Sequence, residues 1–113
     1  MLQTNDKYYI EKALDDIQAI IGYTVNHTYN EFMSDVKTID ATMFRLQQMV
    51  ENIKKISLEY KQENYNIDWK SIVGFRNRIV HEYNKIDYST IYETISTDIY
   101  ELKKVFESTL ANK

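Results

Sequence analysis

The sequence predicts an all-α fold: an antiparallel up-and-down bundle of four to five helices, with residues 1–113 forming a single helical domain. Three observations carry that reading. The chain has no Pro and two Gly, where an average chain of this length would hold about five and eight. Its apolar residues recur at spacings of three and four along extended stretches, which places them on one face of a helix. The segments between those stretches are short and polar, as antiparallel neighbours require. The fourteen Ile favour strands by propensity alone, but the period and length of the pattern outweigh propensity.

The first helix is expected over residues 5–21, where Ile10, Leu14, Ile17 and Ile21 share a face and Gly22 stands where a left-handed cap residue is wanted. Residues 23–27 connect it to a second helical stretch opened by Thr28-Tyr29-Asn30-Glu31, a capping-box pattern. Val36, Ile39, Met43, Leu46, Val50 and Ile53 then form a coiled-coil-like seam on a long helix expected to reach about residue 60. Polar residues 61–66 read as a loop, and Asp68 is placed to cap a helix running from Trp69 to residues 83–84. After the turn Lys85-Ile86-Asp87, with Asp87 as cap, Ile91, Ile95, Ile99, Leu102, Phe106 and Leu110 mark the last amphipathic helix.

Composition narrows the chemistry. Without Cys there is no thiolate nucleophile, disulfide or Cys-ligated metal, and a reducing, cytoplasmic setting is expected. Two His, His27 and His81, lack the spacing of a metal site, so no metal or cofactor is expected. His27 reads as a solvated loop residue. No apolar run approaches a membrane span of ~20 residues, and no membrane association is expected. The net charge of −3 argues against broad coating of nucleic acid. Residues 69–85, however, carry +3 and the remainder −6, which leaves room for one confined phosphate site.

That basic window is Gly74-Phe75-Arg76-Asn77-Arg78-Ile79-Val80-His81-Glu82-Tyr83. On a continuous helix Val73, Arg76, Val80 and Tyr83 all fall within about 40° of Trp69, so an arginine sits in an apolar stripe. A buried guanidinium needs an ion pair or a cleft that admits an anion. Arg78 falls on the opposite side and reads as a surface charge. Asn77 and His81 are i,i+4 neighbours, so the amide can fix the imidazole tautomer. His81 near a helix C-terminus suits a general acid–base, and Arg76 suits a phosphate gaining charge. Gly74 inside a helix costs about 1 kcal/mol relative to Ala and suggests close approach of another backbone or a ligand.

These residues resemble the HepT toxins of the HEPN superfamily, whose signature is Arg, four to six residues, His, any residue, Tyr. The stretch from Arg76 to Tyr83 fits with four intervening residues. Other landmarks are similar: Asp6-Lys7-Tyr8-Tyr9-Ile10-Glu11, Tyr29-Asn30-Glu31-Phe32, Glu51-Asn52-Ile53-Lys54-Lys55-Ile56, Trp69 and Ile86-Asp87-Tyr88. The resemblance implies a HEPN-like homodimer with two motifs meeting in an interface cleft. It also implies metal-independent endoribonuclease activity on RNA, with the 2′-hydroxyl attacking the adjacent phosphate. On that reading His81 moves the proton, Arg76 stabilises the phosphorane-like state, Asn77 orients His81 and Tyr83 assists. It further implies a toxin–antitoxin pair whose partner, an MntA-like nucleotidyltransferase antitoxin, neutralises the toxin by AMP transfer to Tyr83. A non-catalytic nucleotide-binding or AMP-acceptor subunit of the same complex is the alternative.

Overall fold

A computed structural model describes residue 2, residues 4–79 and residues 85–112. Its helices are α1 (Thr4–Thr24), α2 (Tyr29–Met33), α3 (Val36–Lys54), α4 (Leu58–Glu63), α5 (Trp69–Val73), α6 (Phe75–Ile79), α7 (Tyr88–Glu93) and α8 (Ile99–Ala111). A π-helical turn, Thr94–Asp98, joins α7 to α8. Among the described residues there is no strand element, and no helix is long and apolar enough to cross a membrane.

Side-chain bonds between distant residues give the direction of each leg. Near the start of α1 Asp6 bonds Ser57 just past α3, while Asp16 further along bonds Arg45 and Asn52 of α3, so the two helices are antiparallel. Tyr92 of α7 donates to the His27 carbonyl at the α1–α2 corner, and Thr109 near the end of α8 bonds Tyr60 of α4. The leg from α7 to α8 therefore runs in the direction of α3. Trp69, opening α5, packs on Phe106 at that same lower end, and α6 meets α7 at the other. Among the described residues, α3 and the α7–α8 leg thus run opposite to α1, with α2 and α4 as corner helices.

The core gathers Ile10, Ala13, Ile17 and Ile20 of α1 against Leu46 and Ile53 of α3 and Ile91, Ile99 and Phe106 of the last leg, all fully buried. Burying each large aliphatic side chain is worth roughly 1.5–3 kcal/mol. Leu14 and Ile21 are only half-buried. The centre of the α1 stripe is thus rotated from the expected face, and α1 packs against both α3 and α8. Val36, the first residue of the expected seam, is 67% exposed: α2 turns the chain before the seam reaches its partner.

Several boundaries differ from the sequence expectation. Gly22 is not a cap; Val25 N–H still bonds the Ile21 carbonyl at 2.9 Å, so helical bonding passes straight through it. The long helix stops at Lys54 rather than near residue 60. The buried Asp6 carboxylate draws the chain aside, accepting from Ser57 N at 2.8 Å and Ser57 Oγ at 2.6 Å, while Ser57 Oγ accepts from Tyr60 N at 3.1 Å. One hydroxyl thereby ends α3's path and caps α4. Thr28–Glu31, Asp68 and Asp87 cap as expected.

Candidate active site

The motif opens on a deliberate break. Asp68 accepts from Ser71 N at 3.0 Å and starts α5. Trp69 is held beside it, its Nε1 donating to the Lys61 carbonyl at 3.1 Å and the Asn64 carbonyl at 3.0 Å. Gly74 closes α5 with φ −86° and ψ 14°. A Cβ there would lie 3.2 Å from the Lys70 carbonyl oxygen. The close backbone that Gly74 accommodates is therefore that of its own preceding turn. Asn77 N and Arg78 N then bond the Gly74 carbonyl at 3.0 and 3.2 Å, starting α6.

This break changes where Arg76 points. The buried side of the leg is centred on Ile72 and Phe75, 8% and 3% exposed, with Trp69 and Val73 at its margin. Arg76 is exposed, not central to a buried stripe, and it belongs to no ion pair or hydrogen bond among the described residues. Its side chain lines a groove of about 240 Å³ between α3 and the α5–α6 leg, with Gln47, Gln48, Glu51 and Lys54 opposite. Asn77 is exposed on the same short helix.

Arg78 is more than a surface charge. It is half-buried and reaches the Ser71 carbonyl at 3.5 Å, in a cleft lined by Asp68, Glu93, Asp98 and Glu101. Burial pushes the Asp98 carboxyl above its usual range, Arg78 opposes this, and Glu101, Glu93 and Asp68 reinforce it. Arg78 thus faces four acids across its cleft, whereas Arg76 is exposed and unpaired among the described residues.

His81 and Tyr83 lie outside the described residues, so the contact expected between Asn77 and His81 lies outside them too. His27 is not a solvated loop side chain: it is 27% exposed, its Nε2 lies 3.7 Å from Asp35 Oδ2, and its Nδ1 is buried. Residues that the sequence pattern passed over organise the scaffold behind the site. Asp16, 6% exposed at its side chain, accepts from Arg45 at 3.0 Å and from Asn52 Nδ2 at 3.0 Å, locking α1 to α3. The available signal was spacing: Asp6 precedes Ile10 by four and Asp16 precedes Ile20 by four, so both carboxylates extend the buried stripe.

The described residues form an all-α bundle in which Arg76 is exposed and unpaired among them, beside a groove lined by polar side chains of α3. The sequence profile described as ribonuclease HepT-like matches residues 10–109. Among curated relatives, "Putative RNase MJ1216" of Methanocaldococcus jannaschii is 32% identical over 89% of this chain and 84% of its own length. "Putative RNase TTE0752" of Caldanaerobacter subterraneus subsp. tengcongensis is 29% identical over 85% and 86%. "Probable ribonuclease HepT" of Thermococcus cleftensis is 27% identical over 94% and 96%. No solved structure shows significant similarity. The chain belongs to the HepT-like ribonuclease family of the HEPN superfamily.

Proposed function

We propose that the chain is a metal-independent endoribonuclease acting as the toxin of a toxin–antitoxin pair, its cleft completed by a second copy of the chain. The observation that carries the reading is the exposed Arg76, uncompensated among the described residues, at the arginine position of the R-x4-H-x-Y motif in a HepT-like chain. The substrate 2′-oxygen attacks the adjacent phosphorus, forming the O2′–P bond while the P–O5′ bond breaks. His81 takes the 2′-hydroxyl proton, and a proton is returned to the departing 5′-oxygen. The products are a 2′,3′-cyclic phosphate and a 5′-hydroxyl. Arg76 balances the charge that builds on the non-bridging oxygens, Asn77 orients His81, and Tyr83 assists. Tyr83 is also the acceptor of AMP from an MntA-like nucleotidyltransferase, a bulky anionic addition that blocks the same cleft.

Purified protein incubated with tRNA and mRNA, beside Arg76→Ala and His81→Ala, tests this. Wild type is expected to leave cyclic-phosphate ends and both variants to lose cleavage by at least ~100-fold. Undiminished cleavage by His81→Ala overturns the assignment, and no cleavage by any form favours an AMP-acceptor subunit. With the transferase and Mg·ATP, AMP-sized mass increments are expected on Tyr83. Increments confined to other residues reject that switch.

A further inference from the structure

The wall facing Arg76 has a chemistry that catalysis does not use. On α3, Gln47, Glu51 and Lys54 follow at spacings of four and three, forming one line along the groove, with Gln48 beside them. By helical rise this line covers about 10 Å, the scale of one nucleotide with its flanking phosphate. Glu51 and Lys54 pair with each other at 3.0 Å, so the wall is close to neutral. Both glutamines are exposed, and neither side-chain amide takes part in a hydrogen bond among the described residues. The same groove is lined by the apolar Val50, Val73 and Phe75. The groove thus brings a cation on one leg and two unengaged amides on α3 together with an apolar lining.

We propose that Gln47 and Gln48 are base-reading residues, which hydrogen-bond the edge of the unpaired nucleobase next to the phosphate held by Arg76. This rests on the ribonuclease reading. An amide offers one donor group and one acceptor, the pairing that bidentate recognition of a base edge needs. A phosphate-binding arginine carries no sequence information of its own. Because base edges are accessible in single strands and hidden in the deep major groove of A-form RNA, the substrate is single-stranded RNA. The neutral wall suits a base and not a second phosphate, while the apolar side chains of the lining suit the face of its ring.

The test is binding of A5, C5 and U5 oligoribonucleotides by fluorescence anisotropy, in a His81→Ala background so that cleavage does not intervene. That variant is expected to separate the best from the worst oligomer by at least about fivefold. Gln47→Ala/Gln48→Ala added to it should bring the ratio below about twofold, whereas Arg76→Ala should weaken all three alike. Both glutamines are exposed, so a circular dichroism melt should match the parent. No binding, binding without discrimination, or discrimination surviving the double substitution overturns the proposal. Wild-type cleavage of the same oligomers separates the two ideas. Cleavage without base discrimination removes the base-reading role alone, and discrimination without cleavage removes the ribonuclease reading alone.

Discussion

The two arginines of α6 stand two positions apart and meet opposite surroundings. Arg76 faces a near-neutral groove, and Arg78 faces Asp68, Glu93, Asp98 and Glu101. Arg76→Ala should therefore change stability by less than about 0.5 kcal/mol, as surface substitutions do, while cleavage collapses; a depressed melting temperature would show a structural role instead. Arg78→Ala should act the other way, on the fold. Asp98 already has its pKa raised by burial, so its ionised form costs stability above the ordinary carboxylate range. Removing Arg78 should raise it further, and the stability lost at neutral pH should recover on acidification. A carboxyl NMR titration checks the direction, and an unchanged Asp98 would refute it. Gly74 belongs to the same scale: with a Cβ meeting the Lys70 carbonyl at 3.2 Å, Gly74→Ala should cost on the order of 1 kcal/mol by forcing α5 to shift, although its φ of −86° suits any residue.

Corners, not helix middles, separate what the sequence made legible from what it hid. Caps at Thr28, Asp68 and Asp87 were readable because each depends on residues within three positions of itself. The end of α3 was not, because it depends on Asp6, fifty-one residues from Ser57. Periodicity likewise placed helix over the described residues 69–79 but could not register the break at Gly74, and so it set Arg76 at the centre of the leg's apolar stripe instead of beside its margin. A buried carboxylate stripped of its partners is costly, so Ser57→Ala should lower stability by about 1–3 kcal/mol. Adding Asp6→Ala should cost less than the sum of the two single effects, since one network is lost once; strict additivity in denaturant titrations would contradict the coupling. The α2–α3 corner has its own pH signature. Glu31 is held below its usual range chiefly by Thr28 N–H, and Asp35 chiefly by the Thr38 hydroxyl. Lowered carboxylate pKa values contribute stability that is present above the unfolded values and lost as pH falls through the folded ones. Asp35→Asn should accordingly make the acid limb of the stability curve shallower.

Across the whole molecule, the site depends on legs that it does not belong to. Arg76 rides on the third leg, which is fastened below by Trp69 between the Lys61 and Asn64 carbonyls and the Phe106 ring, at a ring-centre distance of 6.2 Å. Tyr60 joins the same cluster through Phe106 and through a 2.7 Å bond to Thr109. One knot thus ties α4, α5 and α8 together. Phe106 is fully buried, and Phe106→Ala should cost about 3–5 kcal/mol through lost transfer energy and the cavity left behind. Trp69 is the single tryptophan of the chain, so its fluorescence reports this knot, while far-ultraviolet circular dichroism reports all the helices. If the knot belongs to one cooperative core, the two signals should trace the same unfolding transition in wild type and in Phe106→Ala alike. A fluorescence transition preceding the dichroism transition would mean that the α5 end opens first. The arginine would then be positioned by a locally stable leg, and the groove between α3 and α6 would be a variable opening rather than a fixed mould for a nucleotide.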